Sequence, residues 1–209
     1  MDCAMVLARF VSRSIQTVRR LDVRRFAANQ EGVSAIEFAL LLPLMLTLYI
    51  SGVEISQAVG AYRKVTLISH SVADLVAQTS TPLSTTDVGN ALSAAGAIAT
   101  PYSTANMSVV VSQVCIDANG KATINWSQAT PSNMARTVGN PITFATTNGA
   151  SLNTPGTCLI WGETTYAYAP ALGYAITGTL NLYDNIFLSP RLKNCVVYTA
   201  LTNNCQAYP

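Results

Sequence analysis

The chain has 209 residues, enough for one ordinary domain plus a separate segment, and Lys, Arg, Asp and Glu make up only 11% of it, against about a quarter in typical domains. The net charge is +2, and six of the twelve basic residues, Arg9, Arg13, Arg19, Arg20, Arg24 and Arg25, precede residue 26. From residue 38 onward six basic residues face six acidic ones, which excludes a phosphate-tracking surface and with it a nucleic-acid partner.

Residues 1–32 read as a basic cytoplasmic leader outside the fold. The run Phe38 to Val53 has sixteen residues without a charge, bounded by Glu37 and Glu54, and falls short of the roughly 20 that span a bilayer as a helix. Counting Glu37 into the span extends it from about Val33 to Ile55, 23 residues and about 34 Å at helical rise. A carboxylate inside such a span costs about 2.5 to 3.5 kcal/mol on insertion scales, so its presence asks for a use. An interfacial residue on an ordinary anchor is the plainer reading of Glu37. Arginines before the span and none just after it place the N-terminus in the cytoplasm and the remainder outside. Pro43 withholds one backbone bond and predicts a kink.

Beyond the span, Ile55, Val59, Tyr62, Val65, Ile68, Val72 and Leu75 recur at spacings of three and four. This predicts an amphipathic continuation over 56–80, so that 33–80 is one long helix. Arg63 and Lys64 read as a solvated face. A second helix is expected from Asp87 to Ala99, entered through Ser84-Thr85-Thr86 and stopped before Pro101. The period then changes to alternation: Met107 to Ile116 and Lys121 to Trp126 read as a hairpin across Asp117-Ala118-Asn119-Gly120. Residues 127–156 predict loops with one short strand at Ile142 to Ala145, and Cys158 to Tyr168 is a further strand. Leu180 to Leu188 and Cys195 to Leu201 are expected to pair as the last two strands. The fold class expected is α+β, a long N-terminal transmembrane and amphipathic helix, then a short helix and a small antiparallel β-rich domain over 81–209.

Cys3 stands alone before the span, while Cys115, Cys158, Cys195 and Cys205 form an even set after it. In an oxidising compartment four cysteines suggest two disulfides with three pairings open; Cys195 with Cys205 and Cys115 with Cys158 is favoured because the first closes a short loop. Four buried thiols are the alternative. No Cys-x-x-Cys occurs and His70, the single histidine, is distant, so no metal is expected. Gly-x-Ser-x-Gly, phosphate-loop and His-Glu-x-x-His motifs are missing, and His70 lies among serines on the polar side of the helix. No enzyme and no cofactor are therefore expected. Trp126, Trp161, Tyr166 and Tyr168 read as sheet core in preference to a sugar platform.

Gly32 supplies a small residue between a polar leader and an apolar helix, the pattern a prepilin peptidase cuts. Cleavage after it would leave Glu37 as the fifth residue, one helical turn from a new α-amino group at Val33. The two charges can neutralise each other in lipid, within one chain or between neighbouring subunits. The stretch Glu31-Gly32-Val33-Ser34-Ala35-Ile36-Glu37-Phe38-Ala39-Leu40-Leu41-Leu42-Pro43 resembles that of the TadE and TadG-like minor pseudopilins of Tad (tight adherence, or Flp) pilus systems. Weaker likenesses lie in Trp126-Ser127, in Glu163 to Pro170 and in Ser189-Pro190-Arg191.

The resemblance implies a subunit of the bacterial inner membrane, processed by a prepilin peptidase, that helps start or cap pilus assembly and can itself enter the pilus. Its implied partners are other pseudopilins, the Flp pilin, the inner-membrane secretion platform and the lipid bilayer. Gly32, Val33, Glu37 and Phe38 are its processing and helix-assembly residues. The TadG-like branch often carries a metal site of the form Asp-x-Ser-x-Ser, which this sequence lacks. A secretory signal peptide cut near Val59-Gly60-Ala61 is a weaker rival, because its n-region would be very long. A pilus-tip or cell-surface adhesin on a signal anchor, binding through loops 127–156, is the alternative function.

Overall fold

Val33–Ala77 forms a single α-helix of 45 residues, α1, in the computed structural model, which describes residues 32–144, 152–201 and 205. The leader up to Glu31, with Cys3, lies outside the described residues. The chain divides into two units, Met1–Ile50 and Ser51–Pro209. In the first, the described residues after Gly32 are helix throughout. An 18-residue window of α1 is apolar enough to cross a membrane and none of it is buried, consistent with single-pass anchoring. The helix runs on through Pro43.

In the second unit α1 buries Glu54, Ala58, Ala61, Val65, Ile68, Ser69, Val72, Ala73, Val76 and Ala77. This face is rotated from the one read from the sequence. Val65, Ile68 and Val72 are inside, whereas Ile55, Val59, Tyr62 and Leu75 are exposed. The reason is close approach: at Gly162 of the sheet, an added Cβ would lie 2.5 Å from the Ser69 carbonyl oxygen and 2.9 Å from Ala73 Cβ. Only small side chains fit at such a contact, so alanines and a serine take positions that a hydropathy pattern gives to larger residues. The helix ends at Ala77 rather than near residue 80, and the Arg191 N–H donates to the Ala77 carbonyl at 2.9 Å.

The second helix, α2, is Thr85–Ala99. It starts two residues earlier than expected because Ser84 is its N-cap. The Asp87 N–H donates to Ser84 Oγ at 3.1 Å and the Ser84 N–H to Asp87 Oδ2 at 3.0 Å, a capping box. The Ser84 hydrogen bonds hold the Asp87 carboxyl below its ordinary range.

Five strands follow, β1 (Met107–Ile116), β2 (Ala122–Thr130), β3 (Pro141–Ile142), β4 (Cys158–Tyr168) and β5 (Leu180–Leu188). They form one antiparallel sheet in the order β3-β2-β1-β4-β5. The fold class is thus α+β, as the sequence indicates. The β1–β2 turn is closed by Asp117, whose Oδ1 accepts the N–H groups of Asn119 and Lys121, and by Gly120 at φ +77°. β2 runs four residues further than expected, because Ser127 to Thr130 keep pairing with Val109 to Ser112. The short strand expected at Ile142 to Ala145 is Pro141–Ile142; Ala145 lies outside the described residues.

Alternation along the strands splits the sheet into two faces. Val109, Val111, Trp126, Ile160, Tyr166, Tyr168 and Leu182 pack with α1 and α2 in the larger core. Val114, Ile116, Ile124, Leu159 and Trp161 form a second cluster with Ile142, Phe144, Leu152 and Phe187. Cys195 to Leu201 does not pair with β5. Tyr198 makes a parallel bridge to Leu83, with the Leu83 N–H donating to the Val197 carbonyl at 2.7 Å and the Thr199 N–H to the Leu83 carbonyl at 3.0 Å. The segment is drawn there by Trp126, whose Nε1–H donates to the Val196 carbonyl at 3.3 Å, and by Gln113, whose Oε1 accepts the Val196 N–H at 2.8 Å.

Candidate functional site

Gly32 directly precedes α1, and Val33 is the helix's first residue. Among the described residues, a methyl group added at Gly32 would meet nothing within 4 Å, so none of them demands a glycine there. Glu37 follows Val33 by four residues, and Gly32, Val33, Glu37 and Phe38 are all exposed. Among the described residues, no burial of these side chains accounts for the pattern.

Glu54 is different. It is 2% exposed, and its carboxylate accepts the backbone N–H groups of Tyr174 at 2.9 Å, Ala175 at 2.7 Å and Ile176 at 3.2 Å. An acid that in the sequence only ends an apolar run is thus the anchor of the β4–β5 connection. One turn later, Tyr102 Oη donates to the Gln57 carbonyl at 3.2 Å, and its ring meets Tyr166 and Tyr168 edge-on. Burial raises the phenol pKa of both of those tyrosines.

The cysteines join as Cys115–Cys158 and Cys195–Cys205. The first links facing residues of β1 and β4; the second closes the C-terminal segment that crosses to Leu83. The sulfurs of Cys115, Cys158 and Cys195 lie within 4.8 Å of one another. Oxidised sulfurs offer no thiolate to a metal, so this cluster is two neighbouring disulfides.

On the sheet face away from the helices, Glu163 is 3% exposed and ion-paired with Arg136, which donates from Nε at 2.9 Å and from Nη2 at 2.5 Å. Tyr183 Oη donates to the same carboxylate at 2.9 Å. Arg136 also lies 4.5 Å above the Trp161 ring, which stacks on Phe187. Burial first, and the Glu163 charge second, push the Tyr183 phenol up to about 12. The hydrogen bond to Glu163 raises the already high pKa of Arg136. Neither Glu54 nor Arg136 is marked as a site by a local motif. The one signal the sequence carries is the rarity of charge, with Glu54 bordering an apolar run.

The later motifs have structural work. Trp126 is fully buried, Ser127 Oγ accepts the Arg136 N–H at 2.9 Å, and Arg191 is ion-paired with Asp74 in the last turn of α1. His70 stands 3.9 Å from Asp184 at a half-exposed position.

The family model described as TadE-like protein matches this chain from residue 32 to residue 74. Residues 32–74 are a TadE-like domain. The match opens on Gly32 and closes on Asp74, one turn short of the end of α1. Trp126, Glu163 and Arg191 fall outside the TadE-like residues. No curated protein and no solved structure matches the chain.

Proposed function

We propose that this protein is a minor pseudopilin, an accessory subunit for assembly of a Tad (Flp) type IV pilus. The observation that carries the reading is that the TadE-like domain begins at Gly32, directly before the first residue of α1. A prepilin peptidase cuts between Gly32 and Val33. The open space around Gly32 supports this, because among the described residues the glycine answers to no contact. The mature subunit is a single-pass protein of the bacterial inner membrane, with its sheet domain in the periplasm.

Glu37 then lies one turn from the new amine at Val33, and the pair removes two unpaired charges from lipid. Ile55, Val59 and Tyr62, exposed on α1, are left for helices of other pseudopilins, the Flp pilin or the secretion platform. The role is structural, in keeping with a family that is generally non-enzymatic. Glu37→Gln tests it. The expected result is unchanged cleavage with reduced recovery of the subunit in pilus complexes; recovery equal to wild type would show that Glu37 merely borders the span.

Exposed Met134 and Val138, between β2 and β3, favour a second reading, a binding surface for adhesion.

A further inference from the structure

The connection from β4 to β5 has an unusual composition. Between Glu163 and Asp184 no charged residue occurs, and the connection still exposes two large apolar side chains, Leu172 at 69% and Tyr174 at 62%. It is not loosely attached. Gly173 between them takes a positive φ of +66°, and the next three backbone N–H groups are held by the buried Glu54 carboxylate. Ile176 packs inward on the core. Leu172 and Tyr174 are therefore exposed on a loop in which the amides of Tyr174, Ala175 and Ile176 are already satisfied.

The residue holding the loop identifies its surroundings. Glu54 is the first residue past the charge-free run Phe38 to Val53, so the loop is bonded to the point at which α1 leaves its apolar stretch. The neighbouring turn of α1 is met by Tyr102, backed by Tyr166 and Tyr168. Tyrosines and apolar residues without charge, at the end of an apolar helix, are the composition of a membrane–water interface, where aromatic rings settle at headgroup level. A charged protein partner would find nothing to pair with on this loop.

We propose that residues 171–175 form a membrane-interface anchor, in which Leu172 and Tyr174 enter the boundary between headgroups and acyl chains of the leaflet from which α1 emerges. The inference rests on α1 being a membrane span. Burial of a leucine and a tyrosine beside the span would fix the tilt and rotation of the sheet domain against the bilayer, which a lone helix leaves free. The attraction is apolar, so zwitterionic phosphatidylcholine suffices and added salt leaves it unchanged.

The test uses the full chain reconstituted into phosphatidylcholine vesicles with brominated acyl chains, comparing Tyr174→Trp with Val138→Trp, both at exposed positions. Native Trp126 and Trp161 are buried and give the same background in both variants. The tryptophan introduced by Tyr174→Trp should be quenched at least about twice as strongly as the one from Val138→Trp, with blue-shifted emission unaffected by salt. Equal quenching in protein that floats with the vesicles would overturn the anchor alone and leave the patch to another subunit. Failure of both variants to float would overturn the membrane reading and the anchor with it.

Discussion

Gly162 of β4 lies directly under Ser69 of α1, so close that a methyl group on the glycine would stand 2.5 Å from the serine's carbonyl oxygen. Backbone cannot yield there as a flexible side chain would, so helix and sheet must separate to admit even one carbon. Gly162→Ala should cost about 1 to 3 kcal/mol, the range for overpacked cores. Thermal unfolding followed by circular dichroism checks it, and a melting temperature equal to wild type would refute the contact.

A buried carboxylate without its cation is costly, and Glu163 depends on Arg136 for that compensation. Arg136→Met should destabilise by about 2 to 3 kcal/mol, less than the roughly 3 to 5 kcal/mol of a fully buried broken pair because the guanidinium is half-exposed. Adding Glu163→Gln to that variant should recover part of the loss. Denaturant titration of the single and double variants measures both, and strictly additive losses would count against the pairing.

Tyr183 gives the pair an alkaline limit. Its phenol is raised from 10.0 to about 12 in the folded chain, so the unfolded chain loses this proton first as pH rises. The stability it contributes is whole below pH 10 and is lost as pH climbs through about 12. Tyr183→Phe should flatten the stability profile across that window, read by denaturation midpoints at successive pH values. An unchanged alkaline slope would place the titrating group elsewhere.

Asp87 acts at the other extreme. Its carboxyl is depressed by the Ser84 hydrogen bonds, so its contribution is whole above the ordinary aspartate range and is lost as pH falls through the lower folded value. Asp87→Asn should weaken the acid dependence of stability and loosen α2, measured by amide exchange at its first turn.

Shortening the segment from Ser132 to Gly156 separates assembly from adhesion. Normal pili that no longer adhere would support a binding surface there; lost piliation would assign the segment to assembly.

Much of this fold can be read from residue order alone. Met107–Ile116, Cys158–Tyr168 and Leu180–Leu188 alternate or run apolar between turn residues, and they are strands at those bounds. The buried face of α1 is harder to read, because Ala58, Ala61, Ser69 and Ala73 look indifferent until Gly162 brings the sheet within touching distance. Cys195 to Leu201 has strand-like composition, yet Gln113 and Trp126 take its backbone bonds from across the core. Nothing near Glu54 announces that its partners are amides 120 residues onward. Such distant pairings follow from topology and leave no local period.

Whether a prepilin peptidase processes the chain at Gly32 is read from the N-terminus of the mature protein, by mass spectrometry from cells with and without the peptidase. A chain starting at Val33 is expected only where the peptidase is present. An intact Met1 in both strains, or a start near Ala61 or Tyr62, would rule out processing there.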